Sequence, residues 1–586
     1  MRLITTFTLV LAHSALHVAW AKVDSLVSRR ALDKRYVDEN GNYNVTIVHT
    51  NDVHAHLDQW RAGRGTDCEP EKECIAGYAR IKSKVAELRQ TLQDPIFLNA
   101  GDEFQGTLFF TYYGGEKISY SINDVGYDAF TLGNHEFDKG QGELAAFLKN
   151  ITFPIVCANF KTNDTAMNEV NIKPYTIIEK HQIGIIGVIT PDTKGTSSGA
   201  GPGTEFSDPV AAVQAAVDEL KAQNITRIIA LTHIGYDKDI ELAQKTRGVD
   251  LIVGGHSHTL LGNMTGALGQ YPTIAKNLDG DEVFVVTAYR WGEYLGKMSI
   301  AFDSAGKIVS YEGEPLRLGN TTAQDTELQN QIQQWRQPFD TLSAEQVGTA
   351  EVVLDQSICQ YSECTLGNVI TDAMYEYRKN TGGNVDAAII NAGGIRASIS
   401  EGNVTRGMVL TAFPFLNGIV DLTWSGKQLL QIFEGVVSRY STLSQHATTS
   451  FMQVSKQIKF SWNVNNNNQT KLITFEINGE QVDLNKNYTI VALDFMATGG
   501  DYFWPSRTDF VALDTLDVVL VKYLQAHSPV NASIEGRIVN STQTQQQIPG
   551  VGGNGGGGNN GSGTLFRFSA MTAGVLLLGS AVLLTA

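Results

Sequence analysis

Seven side chains that can bind a divalent metal ion occur at the ends of strand-like segments in the first half of the chain. They are Asp52, His54, Asp102, Asn134, His233, His256 and His258. Carboxylate, imidazole and amide donors together suit zinc, manganese, iron or cobalt rather than calcium. There are enough donors for two ions, and the two oxygens of Asp102 can bridge them. Two ions about 3.5–4 Å apart can activate a water molecule and hold the oxygens of a phosphoryl group.

A histidine and an aspartate in the segment TLGNHEFD (131–138) add a different kind of chemistry. His135 follows Asn134 directly, and its imidazole can donate to a phosphoryl oxygen or carry a proton. Asp138 lies three residues further on, where its carboxylate can bind that imidazole and fix its tautomer. Such a segment on its own can be a turn with a surface histidine. The seven metal donors make the pair a candidate for catalysis instead.

Short apolar runs that alternate with amphipathic helical stretches hold these donors between residues 45 and 303. The alternation predicts a layered α/β domain with mainly parallel strands, in which ligands gather beyond the carboxyl ends of the strands. A helix is predicted over 209–222, capped by Ser207 or Asp208. Gly254 and Gly255 are predicted to let the backbone turn, so that both histidines after them point inward.

Three segments in the second half of the chain are unusual for plain core. Their candidate binding residues are Asn391, Arg396, Phe415, Asn417, Phe495 and Asp501. Arg396 follows two glycines, so backbone amides and a guanidinium can bind an anion there. Phe415 and Phe495 stand in separate loops and can stack a base between them, because stacking accepts any base. Either phenylalanine alone can equally be a core residue.

The strings TNDVHAHL, AGDEFQGT and TLGNHEFD, followed by a lone histidine and GHSH, resemble the calcineurin-like metallophosphoesterases. Within that group they look like the 5′-nucleotidase family, and the likeness runs from about residue 45 to 539. It implies a four-layer α/β/β/α metallophosphoesterase domain, followed by a smaller α/β substrate-binding domain that a linker helix joins to it.

The resemblance also implies a role for each candidate. One metal ion would be held by Asp52, His54, Asp102 and His258. The other would be held by Asp102, Asn134, His233 and His256. The catalytic histidine would be His135, oriented by Asp138.

For the substrate, the likeness implies that Phe415 and Phe495 stack the base and that Asp501 binds the ribose hydroxyls. The groups expected to contact base or phosphate are those of Asn391, Arg396 and Asn417.

Two positions depart from the pattern of the family. Family members often have glutamine or asparagine where His258 stands. Histidine is also a good ligand, so this change bears on metal preference rather than on the existence of the site. Relatives of the animal ectoenzyme type have an arginine directly after the first cysteine of the pair Cys359 and Cys364, where this chain has Gln360. The missing charge bears on the rank order of substrates.

A helix from Thr326 to about Arg336 is predicted to connect the two domains. Thr326 and Gln329 form a capping box in the sequence, and Pro338 is predicted to end the helix. The alternative is an ordinary helix of the first domain. In the resembled family the second domain rotates on such a linker to bring substrate to the metals, so the resemblance implies closure here too.

Both ends of the chain carry targeting signals. Residues 1–21 read as a secretory signal peptide and residues 22–42 as a linker or propeptide with dibasic pairs. The two domains are then expected at 43–324 and 347–540, around the linker helix at 325–346. Residues 541–570 read as a Gly/Asn-rich linker with a GPI attachment site. The apolar tail 571–586 is short for a bilayer span and would be removed on attachment, the alternative being a single-span tail anchor.

The cysteines agree with a location outside the cell. Cys68 with Cys74, and Cys359 with Cys364, can each close a small disulfide loop in an oxidising compartment. Metal binding is the alternative, although the spacings are poor zinc patterns. Cys157 is predicted to be a buried free thiol. Eleven N-x-S/T sequons between Asn44 and Asn540 indicate a glycoprotein.

Together these features predict an extracellular, GPI-anchored or secreted enzyme. It would hydrolyse nucleoside 5′-monophosphates to nucleoside and phosphate with water activated by two metal ions, zinc being expected and manganese, cobalt or iron the alternatives. A hydrolase of UDP-sugars or of nucleoside di- or triphosphates, a 2′,3′-cyclic-nucleotide phosphodiesterase, and a catalytically dead surface-binding protein stay open. The formal net charge of −16 argues against a nucleic-acid polymer as partner. The oligomeric state stays open between monomer and homodimer.

Overall fold

The computed structural model describes residues 36–62, 68, 73–201, 203–464 and 470–541 of the 586-residue chain. The predicted signal peptide, GPI attachment site and apolar tail lie outside the described residues. Within the described ranges, no helix combines the length and apolarity needed to cross a membrane.

Two large mixed sheets form the first domain. The first sheet has seven strands, in spatial order Ile308–Arg317, Tyr294–Phe302, Tyr43–Thr50, Ile96–Asn99, Ala129–Thr131, Ile155–Val156 and Ile172–Lys173. The second has six strands, in spatial order Thr273–Lys276, Glu282–Val286, Leu251–Gly254, Arg227–His233, Ile183–Ile189 and Tyr175–Ile178. In the first sheet the five strands from Tyr43–Thr50 to Ile172–Lys173 run parallel, and the other two pair antiparallel with their neighbours. In the second sheet the four central strands run parallel and the two edge strands antiparallel.

Helices cover the outer face of each sheet. They span Tyr78–Thr91, Leu108–Tyr113, Glu116–Val125, Gly140–Lys149, Thr165–Asn168, Thr193–Thr196, Pro209–Ala222 and Tyr236–Lys245. The short strands Trp60–Arg61, Cys74–Ile75, Phe160–Thr162 and Thr204–Phe206 and the 3-10 turns His135–Phe137 and Ser198–Ala200 complete the domain. The helix Pro209–Ala222 has the predicted bounds, and Asp208 caps it by accepting the Ala211 amide at 2.8 Å.

The buried side chains show how the layers pack. Leu98 of the first sheet and Ile185 of the second belong to one apolar cluster between the two sheets. Ile81 of a helix packs on the other face of the first sheet, and Val217 of another helix packs on the other face of the second. The order helix, sheet, sheet, helix confirms the predicted four layers.

The second α/β domain is smaller and has two four-stranded sheets. The first is ordered Ile419–Ser425, Asn487–Leu493, Ala387–Asn391 and Met452–Val454, and the second Glu480–Gln481, Thr470–Ile477, Ile458–Val464 and Ile538–Asn540. The short pairs are Gln346–Ala350 with Gly402–Thr405 and Tyr440–Ser441 with His446–Ala447. Its helices are Thr365–Asn380, Arg406–Ala412, Gly426–Ser438, Asp494–Ala497 and Leu516–His527, with 3-10 turns at Ala392–Gly394 and Gly500–Tyr502.

The helix between the two domains corrects two details of the sequence prediction. It spans Thr326–Ser343 and contains Pro338, so the proline does not end it. Proline removes one helical hydrogen bond, but burial of Phe339, whose ring meets Phe109 edge-on at 5.2 Å, holds the last turns in place. The N-cap is Asp325, which accepts the Leu328 amide at 2.9 Å, and not Thr326.

The cysteines take the predicted states. Cys68 is disulfide-bonded to Cys74, and Cys359 to Cys364. Cys157 is a buried free thiol. Two disulfides in one chain are typical of proteins that fold in an oxidising compartment.

Candidate active site

The seven predicted metal donors come together at one edge of the two sheets. Four of them, Asp52, His54, Asp102 and Asn134, follow three neighbouring parallel strands of the first sheet. The other three, His233, His256 and His258, end or follow two neighbouring strands of the second sheet. Because the carboxyl ends of these strands meet, residues more than 200 positions apart in the chain become neighbours.

The first group of donors consists of Asp52, His54 and His258. The Nε2 atoms of the two histidines lie 2.9 Å apart. The Asp52 Oδ1 atom lies 3.4 Å from the His258 Nε2 atom and 3.9 Å from that of His54. One donor atom from each residue lies within 4.8 Å of the others, which is compact enough for one metal ion.

The second group consists of Asp102, His233 and His256, with Asn134 beside it. His233 Nε2 lies 3.0 Å from Asp102 Oδ2, and His256 Nδ1 lies 2.8 Å from Asn134 Oδ1. The same Oδ2 atom of Asp102 lies 3.8 Å from His54 Nε2 of the first group. Asp102 therefore lies between the two groups, where a bridging ligand would have to be.

The hydrogen bonds of two histidines show that the groups fit metal ions. His54 Nδ1 donates to the Phe104 carbonyl at 2.9 Å, and His233 Nδ1 donates to the Ala100 carbonyl at 2.7 Å. A carbonyl can only accept, so a neutral ring must turn the lone pair of Nε2 into the site. Metal-binding histidines typically have their other ring nitrogen fixed in this way.

Burial and charge act differently on the two rings. Burial lowers the pKa of His54 well below its usual value, which keeps this ring neutral as a ligand must be. Burial opposes the charge of His233 as well, but Asp102 and Asp52 raise its pKa to about 10. A proton and a metal ion would thus compete for His233 Nε2, and metal affinity should fall as the pH falls.

Backbone strain is concentrated at the same residues. Five of the seven donors have positive φ: Asp52 (52°), His54 (52°), Asp102 (57°), His256 (82°) and His258 (49°). Residues other than glycine rarely adopt this conformation. Such strain persists where the surrounding structure imposes it, and it clusters at functional sites.

The two glycines before His256 do not make the backbone turn that the sequence predicts for them. Neither Gly254 nor Gly255 has a positive φ, so they do not make the turn, and His256 itself carries that conformation. A Cβ on Gly255 would lie 2.9 Å from His233 Nδ1, and one on Gly254 would overlap the Asp239 carboxylate. These positions are glycine because neighbouring groups approach too closely for a side chain.

Glu136 is a positioning residue that the sequence reasoning missed. Its buried carboxylate accepts the backbone amides of Asp102 (3.0 Å), Glu103 (2.6 Å), Phe104 (3.2 Å) and Gly133 (2.5 Å). It thereby joins the loop of Asp102 to the loop of Asn134. The available signal was an acidic residue between two site residues, but only the fold reveals its four partners.

We expect Gly133→Ala to impair the site through Asp102. A Cβ at Gly133 would lie 2.5 Å from the Asp102 amide nitrogen and would overlap the Asp102 carboxylate. The expected result is loss of about tenfold or more in metal affinity, measured by metal titration of the stripped protein. Gly142→Ala is the matched control, because nothing lies within 4 Å of a Cβ there. Equal metal affinity in the two variants would contradict this account.

His135 lies next to the two groups, and its imidazole belongs to neither. Its Nδ1 atom lies 2.8 Å from Asp138 Oδ2, and its backbone amide donates to Asp102 Oδ1 at 2.9 Å. Burial opposes charge on the ring, but Asp138 and Asp102 together raise the pKa of His135 above its usual value. The free Nε2 edge can therefore present a proton to an anion in the site.

The second domain contributes to the same space. The ring of Phe415 stacks on the ring of His135, with centroids 5.7 Å apart and planes 29° apart. The guanidinium of Arg396 lies 5.8 Å from the Phe415 centroid. Asn391 Nδ2 donates to Asp501 Oδ2 at 2.7 Å, so these two predicted substrate residues form one unit.

Two other predicted substrate residues, Phe495 and Asn417, do not take part in these ring contacts and hydrogen bonds. The Phe495 ring is half-buried, and among the described residues it makes no ring contact with Phe415. The only recorded bond of Asn417, within the described part of the chain, is its carbonyl accepting the Leu516 amide at 2.9 Å. Neither residue is therefore joined to the other candidates by a ring contact or a hydrogen bond within the described residues.

Gln360 is occupied with internal contacts. Its Oε1 atom accepts the Phe451 amide at 3.0 Å, and its Nε2 atom donates to Ser450 Oγ at 3.4 Å. The amide thus orders the start of the strand next to Asn391 and adds no positive charge to the site.

Comparison with known proteins matches both halves of the chain. Residues 45–260 match the family described as Calcineurin-like phosphoesterase, and residues 346–507 match the family described as 5′-nucleotidase, C-terminal domain. A 5′-nucleotidase from Mus musculus is 34% identical over 539 residues, which cover 86% of this chain and 92% of that protein.

The chain belongs to the 5′-nucleotidase family. A snake venom 5′-nucleotidase from Naja atra is also 34% identical, over 86% of this chain and 99% of the relative. The crystal structure of a 5′-nucleotidase precursor from Thermus thermophilus is 35% identical, with a TM-score of 0.78 over 85% of this chain and 99% of that one. This agreement confirms the fold predicted from the sequence.

Membership of the 5′-nucleotidase family, together with the two His/Asp groups, makes the chain a metal-dependent hydrolase. The metallophosphoesterase domain provides both metal-ligand groups, and the C-terminal 5′-nucleotidase domain provides Phe415 and Arg396. The intact donor groups favour a catalytic protein over the alternative of a catalytically dead binding protein on this scaffold.

Proposed function

We propose that this enzyme hydrolyses nucleoside 5′-monophosphates to nucleoside and phosphate. One observation carries the proposal. The stacked pair of His135 and Phe415 joins the metal-ligand groups of the first domain to an aromatic and cationic surface of the second. A nucleotide needs the metal-ligand groups for its phosphate at one end of the site and the aromatic surface for its base at the other end.

The roles of the ligand residues follow from their grouping. Asp52, His54 and His258 would hold one ion, Asp102, Asn134, His233 and His256 the other, and Asp102 would bridge them. We propose zinc as the metal, since imidazole and carboxylate donors suit it. When bound, two such ions supply Lewis acidity and a hydroxide nucleophile at neutral pH.

The remaining residues would act on charge and position. His135 would donate to a phosphoryl oxygen as negative charge develops, with Asp138 holding the ring in the tautomer that makes this possible. Arg396 would bind the phosphate from the opposite side. Phe415 and Phe495 would stack the base after the two domains move relative to each other, and Asp501 would bind the ribose, with Asn391 and Asn417 beside it.

We further propose that a GPI anchor holds the enzyme on the outer face of the cell membrane. The support is the signal-like segment 1–21, the Gly/Asn linker with its apolar tail 571–586, and the two disulfides. Release from intact cells by a phosphatidylinositol-specific phospholipase would support the anchor, and retention after that treatment would contradict it.

A substrate panel tests the proposed activity. Phosphate release is measured from AMP, ADP, ATP, UDP-glucose and 2′,3′-cyclic AMP, the last with a coupled phosphatase. We expect the highest kcat/KM for AMP. Preference for ADP, ATP or UDP-glucose would keep the site and overturn the assignment to monophosphates, and preference for the cyclic substrate would make the enzyme a phosphodiesterase.

A further inference from the structure

A three-residue loop, Tyr289 to Trp291, is attached to the backbone of the metal-ligand strand. The Asn51 side chain donates to the Tyr289 carbonyl at 2.8 Å, and the Trp291 amide donates to the Asp52 carbonyl at 2.7 Å. Arg290 lies between these two bonds. The loop therefore places Arg290 at a fixed position relative to Asp52.

The backbone on both sides of Arg290 is strained. Tyr289 has a φ of 67° and Trp291 a φ of 56°, although neither is glycine. Bulky residues rarely adopt positive φ, and such strain persists only where the surrounding structure imposes it. In this domain, five of the metal-ligand candidates carry the same kind of strain. The Tyr289–Trp291 loop thus shows the same backbone strain as the metal-ligand residues.

The guanidinium of Arg290 lies over an aromatic face. Its Cζ atom is 4.1 Å from the Trp291 centroid, and the Trp291 ring stacks on His56 at 4.7 Å. A cation over a ring uses the flat face of the guanidinium, so the N–H groups in its plane stay available. The Nε atom is buried and has no hydrogen-bonding partner among the described residues. Among the residues that the structure describes, no carboxylate forms an ion pair with Arg290.

A second unpaired guanidinium is close enough to interact with the first. Burial lowers the pKa of Arg396, the carboxylate of Asp102 opposes that shift, and the charge of Arg290 adds to it. Within the described part of the chain, Arg396 makes no ion pair either, and its guanidinium donates to the Gly393 carbonyl at 3.3 Å. Two like charges that act on each other, neither of them held in an ion pair within the described residues, favour an anion between them.

We propose that Arg290 is a phosphate-binding residue, which holds the phosphoryl group of the substrate from the side of the first domain while Arg396 holds it from the second. The inference rests on the proposed function and extends it, because none of the predicted substrate residues comes from the Tyr289–Trp291 loop. A planar guanidinium can form two parallel hydrogen bonds to phosphoryl oxygens, and its fixed position reduces the entropy lost on binding.

The test compares Arg290→Gln and Arg290→Lys with the wild-type enzyme, all with metal bound. Three quantities are measured: KM for AMP, the inhibition constant of inorganic phosphate, and that of adenosine, which lacks phosphate. We expect Arg290→Gln to weaken phosphate about tenfold or more and to leave adenosine unchanged. Arg290→Lys should be intermediate, since ammonium keeps the charge but not the paired hydrogen bonds. Arg247→Gln, which removes an exposed arginine paired with Asp279, is the matched control.

Two results would overturn the proposal. The first is a phosphate inhibition constant in both Arg290 variants that equals that of the control. The second is a parallel loss of phosphate and adenosine binding, which would mean that Arg290 only supports Trp291. If Arg290→Gln does not fold, the inhibition constants of phosphate and adenosine for Arg290→Lys decide instead. If the wild type releases no phosphate from AMP, the proposed function fails, and calorimetry of inorganic phosphate binding still decides the role of Arg290.

Discussion

Asp102→Ala is expected to lower kcat/KM for AMP by about a thousandfold or more, because several kcal/mol of metal-dependent stabilisation would be lost. The Asp102 carboxylate lies 3.0 Å from His233 and 3.8 Å from His54, so it is placed to serve both donor groups. Its other oxygen accepts the His135 amide at 2.9 Å. One substitution should therefore weaken both metal positions and shift the catalytic histidine.

The measurement pairs initial rates with metal content. We expect the variant to bind less than two ions per chain at a metal concentration that saturates the wild type. Asp218→Ala, on the exposed face of the helix Pro209–Ala222, is the control and should keep wild-type rate and metal content. Activity that survives Asp102→Ala at wild-type level would contradict the dinuclear mechanism.

His135→Ala is expected to lower kcat about a hundredfold to ten-thousandfold with little change in metal content. The ring contributes no donor to either group, but it stacks on Phe415 of the second domain, and Asp138 binds its Nδ1 atom. Asp138→Asn should have a smaller effect, because asparagine keeps a hydrogen bond to the ring but removes the charge that favours the protonated form.

The two variants separate catalysis from metal binding. Rates are measured at saturating AMP and compared with metal content from the same samples. A loss of metal in His135→Ala equal to that in Asp102→Ala would mean that His135 acts only through the metal site. A larger loss of kcat in Asp138→Asn than in His135→Ala would contradict the assignment of Asp138 as the positioning partner.

The donors could be located from the sequence because each one ends a short apolar run. Asp52, Asp102 and His233 stand where parallel strands end, and all such ends lie at one edge of a sheet. The layered fold followed from the same alternation of strands and helices. Such local patterns can be recognised in a sequence without knowledge of contacts between residues far apart in the chain.

Features that depend on distant contacts could not be predicted in this way. Pro338 was expected to end its helix, but burial of Phe339 against the first domain extends it to Ser343. The carboxylate of Glu136 finds its backbone donors only when two loops meet. The charge of Arg290 acts on Arg396 only because the two domains pack together. In each case the sequence neighbours carry no signal of the partner.

The most direct test of the account is phosphate release from AMP by chelator-stripped enzyme as Zn²⁺, Mn²⁺ or Co²⁺ is returned in steps. We expect no release from the stripped protein and a rate that rises until about two ions are bound per chain. Full activity in the stripped protein, or a plateau at one bound ion, would contradict a mechanism in which Asp102 joins two metal positions.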